Sequence, residues 1–249
     1  MSGAATLLRD VFGFDGFRPG QQEIVEAVTA GENTLAIMPT GGGKSLCFQM
    51  PALLRDGVTV VISPLIALMR DQVRALQELG VGAGALTSGN TPEETDAVWE
   101  GLEAGTLKLL YMAPERLAAG SVTGMLKRVG VSLIAVDEAH CVSQWGHDFR
   151  PDYLRIGELR RALDVPLAAF TATADAETYI HAFGYCIALL LHAVVRRESP
   201  EERVKLLIQT QDANPLIRSG EVERSELKIV RSLEFYISGL RGYSISFCL

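Results

Sequence analysis

The stretch Met38-Pro39-Thr40-Gly41-Gly42-Gly43-Lys44-Ser45 constrains this chain more than any other. It follows the aliphatic run Thr34–Met38 and opens the helical run Lys44–Leu54. A Gly-rich turn between a strand and a helix is the setting in which backbone N–H groups converge on phosphate oxygens. Glycine permits the backbone angles such a turn needs, and the helix N-terminus adds a positive end for an anion. In that setting Thr40, Gly41, Gly42 and Gly43 form the cradle, Lys44 reaches the outer phosphates and Ser45 ligates Mg²⁺. A Gly-rich turn with a surface lysine is the plain alternative; the flanking strand and helix weigh against it.

From about Asn33 to Phe170 short aliphatic runs alternate with longer helical patterns. Strands are expected at Thr34–Met38, Val58–Ile62, Lys108–Met112, Val131–Val136 and Pro166–Phe170, each of buried-strand length. Helices are expected at Lys44–Leu54, Leu65–Leu79, Thr91–Ala104 and Tyr153–Leu163. In the second of these Leu65, Leu68, Met69, Val73, Leu76 and Leu79 recur at helical spacing. Thr91-Pro92-Glu93-Glu94 starts the third with a cap residue, a proline and two acids. Strands alternating with helices predict a parallel sheet covered on both faces.

A second chemical signal is Asp137-Glu138-Ala139-His140, directly after Leu133–Val136. An acid at the end of a buried strand, opposite a phosphate cradle, can hold Mg²⁺ directly or through water. Glu138 can orient or deprotonate an attacking water. Read alone, the pair could equally be a solvated loop that caps a helix.

Composition bounds the rest. With 48% hydrophobic and 21% charged residues, the 249-residue chain can bury a core. A net charge of −7 argues against a basic nucleic-acid coat, so any such contact is local. Cys47, Cys141, Cys186 and Cys248 form no CxxC pair, which points away from zinc or a disulfide framework. Met1–Asp10 lacks a signal pattern, and the longest apolar stretch, near Cys186–Val195, falls short of a membrane span. A soluble cytoplasmic protein is expected, nucleoid-associated if bacterial. Near Thr178 the composition shifts. Up to Glu177 there are 23 Ala and 6 Ile; afterwards there are 4 and 7. Helical periodicity persists around Pro200–Gln209 and Glu221–Ile237.

The acids with His140 resemble the DEAH-type motif of superfamily 2 helicases, where Met38 in place of the strict pattern's first glycine is common. Cys141-Val142-Ser143-Gln144-Trp145-Gly146-His147-Asp148-Phe149-Arg150-Pro151-Asp152-Tyr153 resembles the aromatic-rich loop of RecQ helicases, which couples DNA contact to ATP hydrolysis. Trp145 and Phe149 can stack on bases, and Arg150 can meet a phosphate or a base plane; a core role for these aromatics is the alternative. Phe12–Gln21 is similar to the segment of that family that holds adenine, which gives Arg18 a stacking role and Gln21 a hydrogen bond to the base edge. Ser63–Gln72 and Ala113-Pro114-Glu115-Arg116-Leu117 look like its two DNA-strand motifs, both opening helices, with ordinary capping as the alternative. Thr171-Ala172-Thr173 resembles the motif that links hydrolysis to unwinding, or is a plain turn.

The resemblance spans about residues 7–177. It implies a RecA-like ATP-binding lobe, followed over 178–249 by a divergent tail without a recognisable second lobe or zinc module. It implies ATP and Mg²⁺ as cofactors and single-stranded or partly duplex DNA as partner, with movement 3′ to 5′ in repair and recombination. Lys44, Asp137, Glu138 and His140 would be catalytic. Ser63, Pro64, Arg116, Trp145, His147, Phe149, Arg150, Thr171 and Thr173 would contact DNA or couple it to hydrolysis. A single-stranded DNA-binding protein is a partner the residues leave unspecified. Three readings follow: a helicase motor, a nucleotide-binding module that cannot unwind, or a lobe whose tail arose from a shifted reading frame.

Overall fold

Alternation along the strands sorts the apolar side chains onto two faces of one sheet. In β1 (Asn33–Met38) Leu35 and Ile37 join one buried cluster, while Ala36 and Met38 join the other. The same split runs through β2 (Val58–Ile62), β4 (Leu109–Met112), β5 (Val131–Val136) and β6 (Leu167–Ala172). This is the period-two consequence of a pleated strand buried on both sides. The computed structural model describes residues 3–118, 120–142, 152, 155–172, 204–209 and 244–248.

One face is covered by α1 (Gly3–Asp10), α2 (Gln21–Thr29), α3 (Leu46–Leu54) and α4 (Ile66–Glu78), which contribute Leu8, Ile24, Val28, Phe48 and Met69 to the core. The other is covered by α5 (Pro92–Glu103), α6 (Gly120–Val129) and α7 (Arg155–Leu163), through Leu102, Val122, Leu126, Ile156 and Leu159. Each fully buried aliphatic side chain is worth about 1.5–3 kcal/mol relative to exposure. Thr91 caps α5 as its sequence implies. Its hydroxyl accepts from the Glu94 N–H at 3.2 Å, and the Glu94 carboxylate accepts from the Thr91 N–H at 2.9 Å.

With β3 (Ala83–Leu86), β7 (Val204–Gln209) and β8 (Ser244–Cys248), the strand order is β3-β4-β2-β5-β6-β1-β7-β8, every pair parallel. The five expected strands and four expected helices all form, with ends moved by one or two residues. Two expectations are corrected, and one strand was not expected at all. Ala83-Gly84-Ala85-Leu86 is a strand, although its small residues gave no strand signal. Ala113–Leu117 opens a 3-10 turn, Pro114–Ala118, rather than an α-helix. The helical periodicity assigned to Pro200–Gln209 gives way to a strand over Val204–Gln209, where the unbroken run Val-Lys-Leu-Leu-Ile pairs with β1. Glu221–Ile237 and the apolar stretch Cys186–Val195 lie outside the described residues. No helix among the described residues is long and apolar enough to cross a membrane.

Candidate nucleotide site

The site collects at the C-terminal ends of adjacent parallel strands, where open α/β sheets hold their ligands. β1 ends at Met38 and β6 lies beside it, with Ile37 paired to Thr171 and Met38 to Ala172. β5 lies beyond β6 and pairs with β2, Val136 opposite Ile62. The residues following those four ends are Pro39, Thr173, Asp137 and Ser63, so the parallel register itself brings the cradle and the acids together.

The cradle turns through Gly41 and Gly43 at φ +79° and +80°, a region L side chains rarely adopt. Among the described residues the N–H groups of Gly41, Gly43, Lys44 and Ser45 have no protein acceptor, whereas that of Gly42 donates to the Pro39 carbonyl at 2.9 Å. Those uncommitted donors suit a polyphosphate. Two side chains grip the loop from its carbonyl side. The Arg18 guanidinium donates to the Gly41 carbonyl. The buried Gln21 amide donates to the carbonyls of Gly42 and Gly43, at 3.2 and 3.3 Å. Gln21 is itself held by the Arg18 N–H, which donates to Oε1 at 2.7 Å. A Cβ on Gly43 would collide with the Gln21 amide, so glycine there serves a close approach as well as a backbone angle.

Lys44 reaches across to the acids: Nζ lies 4.0 Å from Glu138 Oε1, with both side chains largely shielded from solvent. Asp137 is buried, and its N–H donates to the Ile62 carbonyl at 2.8 Å. Its carboxylate accepts from the Glu138 N–H at 3.0 Å and from the Ser63 hydroxyl at 3.5 Å. Burial, and secondarily the Glu138 charge, push the Asp137 carboxyl up to about 6. The Glu138 N–H, the Lys44 charge and the Ser63 hydroxyl oppose that rise. Glu138 holds φ +49°, a left-handed conformation costly for a residue with a Cβ.

The remaining expected residues divide. Ser63 and Thr171 are buried at the same strand ends as the acids. Pro64 is buried beside Ser63, and Arg116 is half-buried in its 3-10 turn, with no acceptor for Nε among the described residues. Thr40 is exposed. His140 lies in the 3-10 turn Ala139–Val142, but its side chain, like Trp145, His147, Phe149, Arg150 and Thr173, lies outside the described residues. Ser63 was read as a helix opener; the structure sets its hydroxyl on Asp137. Gln49, Gln72 and Tyr111 form a buried polar contact behind the cradle that no local sequence signal announced.

The donor set fits Mg²⁺ held together with phosphates. Ser45 and Asp137 supply one hydroxyl and one carboxylate, and Mg²⁺ takes one or two carboxylates plus phosphate and water. Among the described residues no group of three or more His, Cys, Asp or Glu forms a free-standing metal cage.

Comparison with known proteins agrees with this geometry. Residues 18–180 match the DEAD/DEAH box helicase family. The chain is 49% identical over 176 residues to the ATP-dependent DNA helicase RecQ of Haemophilus influenzae, covering 70% of this chain and 28% of that protein. It is 40% identical over 243 residues to the probable ATP-dependent DNA helicase RecS of Bacillus subtilis, covering 97% of this chain and 46% of that one. The chain thus spans between about a quarter and a half of these relatives. Among solved structures, the DUF1998 helicase MrfA bound to DNA superposes with a TM-score of 0.63 at 17% identity, covering 84% of this chain and 29% of that chain. The Pyrococcus furiosus Hef helicase domain superposes with 0.56 at 24%, covering 85% and 41%. At such identities the two structures speak for the fold alone. With a phosphate cradle, a paired acid at the neighbouring strand ends and this match across most of its length, the chain belongs to the DEAD/DEAH box helicase family, among relatives of the RecQ type.

Proposed function

We propose that this lobe binds ATP with Mg²⁺ and hydrolyses it as one half of a DNA helicase motor of RecQ type, moving 3′ to 5′ on single-stranded DNA in repair and recombination. The observation that carries the reading is the 4.0 Å approach of Lys44 to Glu138, beside a buried Asp137. It supports the reading because an amine, a second carboxylate and a buried carboxyl lie together beside the uncommitted N–H groups of the cradle.

The residues would act in sequence. The free N–H groups of the cradle bind the phosphates. Lys44 exchanges Glu138 for the outer phosphates, which leaves the Glu138 carboxylate to hold the attacking water. Ser45 and Asp137 would hold Mg²⁺, which when bound neutralises charge building on the transferred phosphoryl group. Arg18 and Gln21 steady the cradle, and the exposed Arg18 would stack on the base. Arg116 and the segment from Ser63 to Gln72 would meet the DNA backbone, joined by Trp145, His147, Phe149 and Arg150 from the following loop.

Replacing Lys44 with Ala removes a charge-assisted contact worth about 1.5–3 kcal/mol. The expected result is ATP binding weakened about 10- to 100-fold at unchanged thermal stability, read by titration with a fluorescent ATP analogue. A wild-type chain that binds no nucleotide would sink the reading. A second reading concerns the 249 residues on their own. Both tail strands extend the existing sheet, and among the described residues they begin no second one. A chain that carried no second lobe would lack an arginine finger, a group worth about 10³–10⁵ in rate. The chain alone should then hydrolyse ATP slowly and separate no strands; unwinding of a forked duplex by the purified chain would overturn this.

A further inference from the structure

Behind the cradle, three polar side chains from three segments meet in an otherwise apolar layer. Gln49 lies on α3, one turn beyond Ser45, and its backbone N–H donates to the Ser45 carbonyl at 2.9 Å. Gln72 lies on α4, the helix that follows Ser63 and Pro64. Tyr111 lies on β4, paired with Val61 and Ala85, three residues before the turn that carries Arg116. The Gln49 amide donates to the Tyr111 hydroxyl at 3.0 Å, and that hydroxyl donates to Gln72 Oε1 at 2.9 Å. A third, longer bond runs directly from the Gln49 amide to Gln72 Oε1 at 3.5 Å, so two of the three bonds need the hydroxyl and two need the Gln49 amide. Tyr111 is 1% exposed and Gln49 9%. An edge-on aromatic contact, Phe48 to Tyr111 at 6.4 Å between centroids, runs parallel to it, and Phe48 also meets Phe170 at 5.3 Å, one residue before Thr171.

Apolar side chains would pack this layer at lower cost, since a buried hydroxyl and amide must satisfy each other to break even. Directional bonds differ from apolar packing in transmitting a displacement: α3 cannot shift without drawing on β4 and α4.

We propose that Gln49, Tyr111 and Gln72 are positioning residues that make nucleotide binding at the cradle alter DNA affinity at α4 and the Arg116 turn. This rests on the proposed function, because it presumes that the cradle takes ATP and those segments take DNA. Burial pushes the Tyr111 phenol above its ordinary range, so the hydroxyl keeps its proton and its donor role at any physiological pH. Neither partner amide titrates, so the chain of bonds operates independently of pH.

The test measures dissociation constants of the 249-residue chain for a non-hydrolysable ATP analogue, and for fluorescent single-stranded DNA with and without saturating analogue. Two variants join the wild type: Tyr111→Phe, which keeps the ring against Phe48 and loses both bonds of the hydroxyl, and Gln49→Met, which loses both bonds of the amide. Expected is a wild-type DNA affinity that changes at least fivefold with nucleotide. Tyr111→Phe and Gln49→Met should each bring that ratio below twofold, with each separate affinity kept within about twofold. Equal ratios in wild type and Tyr111→Phe would overturn the inference, as would a wild type that binds both ligands without coupling. Parallel loss of both affinities and of thermal stability in Tyr111→Phe and Gln49→Met would overturn it too, assigning the trio to stability alone. Failure of the wild type to bind nucleotide would instead sink the proposed function beneath it.

Discussion

At the scale of single residues, the site trades stability for chemistry. Asp137 is the sharpest case. Its ordinary value of 3.8 rises to about 6 in the fold, first through burial and then through the Glu138 charge. Between those values the folded chain holds a proton that the unfolded chain has released, so stability falls as pH rises through this window and stays lowered above it. A rise of that size corresponds to on the order of 3 kcal/mol. Asp137→Asn should therefore raise the urea midpoint of the ligand-free chain at pH 7.5. The gap to wild type should close as pH falls from about 6 to about 4, while Mg²⁺-dependent hydrolysis disappears. A midpoint difference independent of pH would show that the buried charge is not the cause. Lys44 and the acid pair stood out beforehand because the Gly-rich turn and the acids each directly follow a strand-like run. The contact of Ser63 with Asp137 did not, because the two lie 74 positions apart and only the parallel register of β2 with β5 unites them. The contact of Gln49 with Tyr111 was hidden for the same reason, at a separation of 62.

At the scale of elements, local signals were read well where they were local and poorly where a neighbour supplied the reason. Helix α5 is the local case: a threonine, a proline and two acids announced the helix start, and the structure adds that Thr91 and Glu94 cap each other reciprocally. Thr91→Ala should cost about 1 kcal/mol, seen as a lower urea midpoint at unchanged slope, with ATP affinity untouched. No change in midpoint would mean that water replaces the cap at no cost. Strand β3 is the opposite case. Gly82 and Gly84 border and enter it because a Cβ at the first would strike the Thr106 carbonyl, and one at the second would press on Val98 and Leu107. Close approach selected residues that carry no strand propensity, so the pattern was silent. Strand β7 failed differently. Its aliphatic run fits a helix or a strand on periodicity alone, and the open edge of β1 decides between them.

At the scale of the whole molecule, the chemistry sits on an interior strand. β1 is bonded to β6 on one side and to β7 on the other, through Asn33 with Val204 and onward to Ile37 with Ile208. A domain boundary at 177, placed where composition shifts, remains a proposal that a cut tests directly. A chain ending at Glu177 should keep its nucleotide cleft but expose β1 as an edge, which invites pairing with other copies. The expected outcome is a lower urea midpoint and larger species in gel filtration; matching midpoints and a clean monomer would show that the 1–177 lobe needs no flank. The pairing of β7 with β1 is made by peptide groups, which are alike in every residue but proline, and Val204–Gln209 contains none. That position in the sheet therefore asks its occupant for an extended backbone and little else. Unrelated sequences can take the same berth, which insulates the nucleotide-bearing part from drift in the segment that shores it up.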